Sequence, residues 1–333
     1  MKEAKHIAIV GATGAVGEEM LECLDQRNFP ISKLTLLASA RSAGKTIEFR
    51  GEAITVKELT HDSFEGVEIA LFAAGGDTSL EYAPSAAKAG AIVIDNSSAY
   101  RMDDEVPLIV PEINPEAAKE AVKGIIANPN CTTIISLMAL FPLHKKYGLK
   151  SIIASSYQAV SGSGAQGIAE LKQQTEAIAN GGEIVSEVYP TQIAFNVIPQ
   201  VDVFKPDHYT KEELKMLNEA RKILKLPELK VTCTCVRVPV YRSHSVSISA
   251  GFENKPSVED ARALYADYPG VNSKDDPEQN LFPTPLDTTL KDDCLVGRIR
   301  EDKVLDNALA LWVVGDQVRK GAALNAVQIA EIL

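Results

Sequence analysis

The sequence predicts an α/β protein, with a doubly wound parallel sheet first and a second, α+β domain after it. Three observations predict this. Short apolar runs alternate with helix-like segments from the start of the 333-residue chain. The first run, Ile7-Ala8-Ile9-Val10, feeds directly into the turn Gly11-Ala12-Thr13-Gly14-Ala15-Val16-Gly17. Beyond about residue 131 the strands and helices lengthen, which signals a mixed or antiparallel sheet.

The elements follow from pattern. Buried-strand runs stand at about 7–10, 34–37, 69–72, 91–94, 108–110 and 125–127. Amphipathic segments at about 16–24 and 80–89 supply helices between them. A helix over about 131–147 opens the second part. A strand over 151–160 follows, then a loop from Ser161 to Ala165 and helices at about 165–179 and 211–225. Strands are expected at 230–240 and 245–252, and a helix with irregular loops over 256–285. A strand at 308–314 returns the chain to a closing helix over 316–333, apolar at Val318, Ala322, Val327 and Ile329. These features divide the chain into a first domain of 1–130 plus 315–333 and a second of 131–314.

Composition narrows the function. An apolar fraction of 45% and a charged fraction of 24% are those of a water-soluble globular protein. The net charge of −11 argues against nucleic acid or an anionic membrane as partner, so an anionic small substrate needs a local cationic pocket. Met1 to Lys5 run straight into the first strand and no long apolar stretch occurs, so neither a signal peptide nor a membrane span is expected. Five scattered cysteines, Cys23, Cys131, Cys233, Cys235 and Cys294, suggest a reducing, cytoplasmic setting. Cys233 and Cys235 fall on one face of a strand, and no second Cys/His pair has zinc spacing, so no metal is expected.

The glycine turn carries the first chemical signal. Between a strand and a helix it lets backbone N–H groups approach a pyrophosphate at the helix N-terminus. The second strand ends in Ala38-Ser39-Ala40-Arg41-Ser42 without the acid that usually binds ribose hydroxyls. Arg41 and Ser42 suit a 2′-phosphate there, which favours NADP. A short-chain dehydrogenase is excluded, because none of the nine tyrosines has Lys four residues on. The second signal is Cys131, in Asn128-Pro129-Asn130-Cys131-Thr132-Thr133 ahead of an apolar run. That context puts a thiol in the first turn of a helix, where unpaired N–H groups and the dipole favour the thiolate. A nicotinamide beside such a nucleophile implies aldehyde-level chemistry through a thioester.

Together these motifs resemble the aspartate-β-semialdehyde dehydrogenases of bacterial type. The resemblance runs over nearly the whole chain: the Gly11–Gly17 turn, Asp95-Asn96-Ser97-Ser98-Ala99-Tyr100-Arg101, Asn128 to Thr133, Gln158-Ala159-Val160-Ser161-Gly162-Ser163-Gly164, Arg237-Val238-Pro239-Val240 with His244, and Gly321-Ala322-Ala323-Leu324-Asn325-Ala326. It implies a Rossmann-type domain plus a catalytic and dimerisation domain like that of glyceraldehyde-3-phosphate dehydrogenase, and a homodimer. It implies Cys131 as nucleophile, His244 as acid–base catalyst and Gln158 orienting the acyl group. Arg237 would clamp the substrate carboxylate and Glu212 pair with its amino group. Arg101 and Lys215, with Asn130 and Ser98, would bind phosphate. Gly11, Thr13, Gly14, Ala15, Val16, Arg41, Ser42, Ser161, Gly162 and Gln317 would contact NADP. The reaction implied is reductive dephosphorylation of aspartyl 4-phosphate, on the route to lysine, methionine and threonine.

Two alternatives are weighed. N-acetyl-glutamyl-phosphate reductases share the fold and thioester chemistry but carry Gly before the cysteine and an aromatic–Pro pair after it, where Asn130 and Thr132-Thr133 stand here. A non-catalytic NADP sensor would lack a catalytic group, whereas Cys131, Gln158, Arg237 and His244 are all present.

Overall fold

A computed structural model describes residues 3–333; Met1 and Lys2, read above as leading into the first strand, lie outside the described residues. The chain divides into two compact units, Met1–Asn130 with Ala322–Leu333, and Cys131–Gly321.

The first unit is built on β1 (Lys5–Val10), α1 (Ala15–Gln26) and β2 (Ile31–Ala38), followed by a small hairpin of β3 (Thr46–Phe49) and β4 (Glu52–Thr55). Then come β5 (Lys57–Glu58), β6 (Ile69–Phe72), α2 (Gly76–Lys88), β7 (Ile92–Asp95) and β8 (Ile125–Ala127). Six strands form an all-parallel sheet in the order β5-β2-β1-β6-β7-β8. Strand order reverses between β1 and β6, and open α/β sheets bind ligands at the carboxyl end of such a switch point. The runs are apolar throughout because helices cover both faces of a parallel sheet. Ile7, Ile9, Leu36 and Leu71 share one core with Met20 and Leu24 of α1.

The segment at 108–110 departs from the strand expected there. It makes a single bridge, Leu108 to Ala127. Beyond it, the Val110 N–H donates to Asn114 Oδ1 at 2.9 Å, the Leu108 carbonyl accepts from Asn114 Nδ2 at 2.9 Å, and the Val110 carbonyl accepts the backbone N–H groups of Ile113 at 2.8 Å and Asn114 at 3.0 Å. Pro107 and Pro111 flank the segment and withhold two ladder donors. The β3–β4 hairpin was not foreseen; its charged, half-exposed strands carry no clear apolar alternation, and the turn uses Arg50 at φ 51° with Gly51 at φ 80°.

The second unit begins with α3 (Cys131–Tyr147), buried on nearly every side as an all-round apolar helix must be. Next are β9 (Leu149–Gln158), α4 (Gly164–Asn180), α5 (Lys211–Leu224), β10 (Lys230–Arg237), β11 (His244–Phe252) and α6 (Val258–Ala266). The unit ends with β12 (Val271–Ser273), α7 (Pro285–Thr288), β13 (Cys294–Glu301) and β14 (Ala308–Gly315). Its mixed six-stranded sheet runs β10-β9-β11-β14-β13-β12, with β9–β10 and β12–β13 parallel and the other pairs antiparallel. β10 stops at Arg237, short of the expected 240, because Pro239 cannot extend the ladder.

The closing segment is not one helix. Asp316 Oδ1 accepts the N–H groups of Val318 and Arg319, and a five-residue π-turn, Arg319–Ala323, precedes α8 (Leu324–Glu331). Its register is set by the Gly321 N–H donating five residues back to the Asp316 carbonyl at 3.0 Å. α8 belongs to the first unit: Leu324, Val327 and Ile329 enter the core beside Met20 and Leu24, and Arg27 grips Glu331 bidentately at 2.6 and 2.7 Å.

Candidate active site

In the second unit, register places three expected residues at one end of the sheet. Gln158 ends β9 and pairs with Arg237, which ends the parallel β10. β11 runs the other way and starts at His244, opposite Gly315 of β14. A Cβ on Gly315 would come within 2.9 Å of Ile135, one turn along α3 from Cys131. The start of α3 therefore lies over the same sheet end. Cys131 itself is partly exposed, and no acidic residue sits in the first turn to oppose a thiolate. Gly321 presses against it: a Cβ there would stand 2.7 Å from the Cys131 Cβ.

The buried side chains form a connected set. Ser156 Oγ donates to Gln158 Oε1 at 3.1 Å, and Gln158 Nε2 donates to Glu212 Oε1 at 3.1 Å, which fixes the amide's orientation. Glu212 Oε2 accepts from Lys215 Nζ at 2.8 Å, and Lys215 also reaches Asp202 at 3.1 Å. Burial works against the Lys215 charge, but Glu212 and Asp202 outweigh it and hold its pKa above the ordinary value. Arg237 donates to the Ala159 carbonyl at 2.7 Å and lies over the Tyr189 ring at 5.9 Å. Gly162 closes over this group; a Cβ there would fall 2.7 Å from Arg237 Nη1 and 3.4 Å from His244 Nε2.

His244 is fully buried, and its Nδ1 accepts the Ala159 backbone N–H at 3.1 Å. Burial and the Arg237 charge push its pKa down to about 3, with Glu212 opposing. A dry site beside a guanidinium disfavours a second positive charge.

Other expected residues are placed differently. The Gln317 amide is engaged by protein, donating to Ser161 Oγ and accepting the Ser243 N–H at 2.8 Å. Arg101, in the first unit, is buried and donates to the carbonyls of Asn128 at 2.9 Å and Asn96 at 2.8 Å. Ser98 is exposed there and Asn130 buried. Lys215 belongs to the second unit, so the expected phosphate residues come from both parts of the chain.

The glycine turn shapes a cleft of about 600 Å³ in the first unit, lined by Gly11, Thr13, Gly14, Arg41, Ser42 and Glu58. Gly11 stands at φ 83°, with a hypothetical Cβ 2.8 Å from the Ala73 carbonyl; at Gly17 a Cβ would be 2.3 Å from the Gly11 oxygen. Only glycine allows the turn and α1 to meet this closely, and Ala15 and Val16 then open α1 with their N–H groups toward the cleft end. These residues fit a dinucleotide phosphate. Glu58, on the two-residue β5, was missed because nothing in its sequence context marks a strand.

Sequence reasoning also missed the supports. Glu213 closes a capping box with Thr210 and accepts the Cys235 N–H at 3.0 Å, pinning α5 to β10 so that Glu212 faces Gln158. The Thr210-x-x-Glu213 pattern could have shown it. Ser243, buried and at φ 74°, turns the chain into His244; no local signal marks it.

A glycine-turn doubly wound unit joined in one chain to a mixed-sheet unit defines a class, the dinucleotide-dependent oxidoreductases. The comparisons narrow it. The family description "Semialdehyde dehydrogenase, NAD binding domain" matches residues 6–121, and "Semialdehyde dehydrogenase, dimerisation domain" matches 140–320. An aspartate-semialdehyde dehydrogenase of Aquifex aeolicus is 53% identical over 98% of this chain and 97% of its own. One from Bacillus subtilis is 52% identical over 100% and 98%. The crystal structure of aspartate semialdehyde dehydrogenase II from Vibrio cholerae, complexed with ASA, superposes with a TM-score of 0.97 at 46% identity, covering 100% of this chain and 98% of that one. The chain belongs to the aspartate-semialdehyde dehydrogenase family.

Proposed function

We propose that the protein catalyses the reversible reductive dephosphorylation of L-aspartyl 4-phosphate to L-aspartate 4-semialdehyde, with NADPH as reductant, and so serves lysine, methionine and threonine synthesis. The observation that carries this reading is the buried cluster in which a cationic fork, Arg237, and a carboxylate, Glu212, flank Gln158 and His244. Such a cluster suits a substrate with both a carboxylate and an ammonium on one carbon. Arg237 grips the carboxylate through its planar fork, which a Lys could not do bidentately. Glu212 takes the ammonium. Gln158 holds the acyl group, and Cys131, at the start of its helix, attacks the carbonyl carbon and carries the acyl group as a thioester. Arg101, Lys215, Asn130 and Ser98 are assigned to phosphate on the resemblance.

The nicotinamide, when bound, supplies the hydride. Gly11, Thr13, Gly14, Ala15 and Val16 are assigned to its phosphates, with Ser161, Gly162 and Gln317 toward the ring. Arg41 and Ser42 favour NADP, and Glu58 in the same cleft is the group that would pull toward NAD. A homodimer is supported by the exposed face of the mixed sheet, where Ile153 and Tyr157 of β9 stand out and Tyr157 meets Trp312 of β14 at 5.3 Å.

The deciding assay is NADPH formation from L-aspartate semialdehyde, which should require inorganic phosphate. N-acetyl-glutamate semialdehyde should not turn over, because an acylated nitrogen offers Glu212 no charge. Turnover of the acetylated substrate alone would replace this reading with the other acyl-phosphate reductase.

A further inference from the structure

We infer that Tyr189 is a positioning residue for recognition of the substrate carboxylate: its ring steadies the Arg237 guanidinium, and its hydroxyl ties that support to the loop after β9. This rests on the function proposed above, in which Arg237 grips the carboxylate. Arg237 is 6% exposed, and among the described residues its guanidinium makes one hydrogen bond, from Nη1 to the Ala159 carbonyl at 2.7 Å. No carboxylate among them is paired with it. A buried cation without a counter-charge is unfavourable unless something offsets it. The Tyr189 ring, itself 8% exposed, lies under the guanidinium with its centroid 5.9 Å from the central carbon. The negative face of an aromatic ring attracts a cation at that range. It does so without occupying N–H groups, so the rest of the fork stays available to a carboxylate. An acidic side chain in the same place would balance the charge but fill the fork.

The surrounding chain is built to fix that ring. The Tyr189 hydroxyl donates to the Val160 carbonyl at 3.2 Å. Gly167 makes room for it, since a Cβ there would stand 2.5 Å from the Tyr189 oxygen. The tyrosine sits in an irregular segment, and buried side chains of α4 hold that segment in place of a strand ladder. Glu170 accepts the N–H groups of Glu187 and Val188, and Gln174 Oε1 accepts those of Ile193 at 2.9 Å and Ala194 at 3.0 Å. Further along, Ile198 and Arg237 exchange both backbone hydrogen bonds, at 2.9 and 2.8 Å. Residues 187–198 therefore hold Arg237 by its main chain and by its guanidinium, although none of them is assigned to the reaction.

The effect expected of the ring is specific. Without it the guanidinium is free to turn toward other acceptors, and the substrate must draw it back. Arg237 meets the carboxylate in the ground state and the transition state alike, so loosening it weakens both equally. That pattern raises KM and leaves kcat nearly unchanged.

The test uses the full-length enzyme, assayed as NADPH formation from L-aspartate semialdehyde with inorganic phosphate. Tyr189→Leu keeps an apolar side chain in the cluster of Val160, Leu171 and Ile193. It should raise the KM for the semialdehyde by about tenfold or more and change kcat by less than about threefold. Tyr189→Phe keeps the ring and should hold that KM within about threefold of the wild type. β-Aminopropanal, the same aldehyde without its carboxylate, should react with equal kcat/KM in wild type and Tyr189→Leu, which general damage to the fold would not allow. A leucine variant with wild-type KM, a phenylalanine variant as impaired as the leucine one, or an equal loss on β-aminopropanal overturns the proposal. Should circular dichroism show Tyr189→Leu unfolded, Tyr189→Met, whose unbranched chain adapts to the same gap, gives the same readings. Failure of the proposed function would instead appear as a wild-type enzyme inactive on aspartate semialdehyde.

Discussion

Cys131 and His244 reach their chemistry through surroundings, not through identity. At the thiol, the start of α3 and the bare Gly321 beside it leave the sulfur partly exposed at the positive end of a helix. Cys131→Ala should abolish turnover while NADPH binding by fluorescence titration is kept, and Cys131→Ser should retain at most a trace. At the imidazole, burial lowers the folded-state pKa to about 3, below the unfolded value near 6.5. The unfolded chain therefore binds the extra proton first, and stability declines as pH falls from about 6.5 toward 3. By pH 5 this group alone should cost the wild type about 2 kcal/mol, a loss that His244→Asn escapes; urea midpoints at pH 7.5 and pH 5 would measure the difference. Arg41 belongs to the same scale. If it meets a 2′-phosphate, Arg41→Ala should raise the KM for NADPH at least tenfold and leave that for NADH nearly unchanged. Equal effects would give the selection to Glu58 and the rest of the cleft.

At the scale of elements, the side of the site proposed to hold the substrate depends on how α5 sits on β10. Thr210 and Glu213 close the capping box, and Glu213 spends its other oxygen on the Cys235 N–H, so a single carboxylate both starts the helix and fixes it to the strand. Glu213→Ala should lower stability by about 1–2 kcal/mol, as loss of a cap and of a buried acceptor requires. Because Glu212 is next in the chain, the KM for the semialdehyde should rise more than kcat falls. Glu213→Gln, which keeps a capping oxygen, should restore most of both.

At the scale of the molecule, the mixed sheet turns one face to solvent with Ile153 and Tyr157 exposed on β9, an arrangement unusual for a surface with no partner. Sedimentation velocity should show a dimer for the wild-type chain. Ile153→Asp with Tyr157→Asp should shift it toward monomer without unfolding, as followed by circular dichroism. A wild-type monomer at micromolar concentration would refute the assembly. Among the described residues no helix is long and apolar enough to cross a membrane.

The sequence by itself determined the parallel-sheet unit, the glycine turn and the start of α3, because each rests on local rules. Apolar runs of four specify buried strands, Gly11 and Gly17 specify a close turn, and an apolar helix behind Cys131 specifies burial. Motif likeness carried the remaining site residues as far as a role for each. Tertiary structure alone decided the rest. The tail that looks like one amphipathic α-helix opens instead on a π-turn at 319–323, capped by Asp316 and set by the Gly321 N–H reaching five residues back to the Asp316 carbonyl. The run at 108–110 looks like a strand but keeps one bridge, to Ala127, and turns other backbone groups to Asn114 and to Asn325, the latter 216 residues from Ile109. Above all, nothing near His244 in sequence discloses that the Ala159 N–H, brought alongside by the pairing of β9 with β11, holds Nδ1. The residue type offered a base near neutral pH. The fold dries the ring and aims a backbone donor at Nδ1, surroundings that the residue type alone does not disclose.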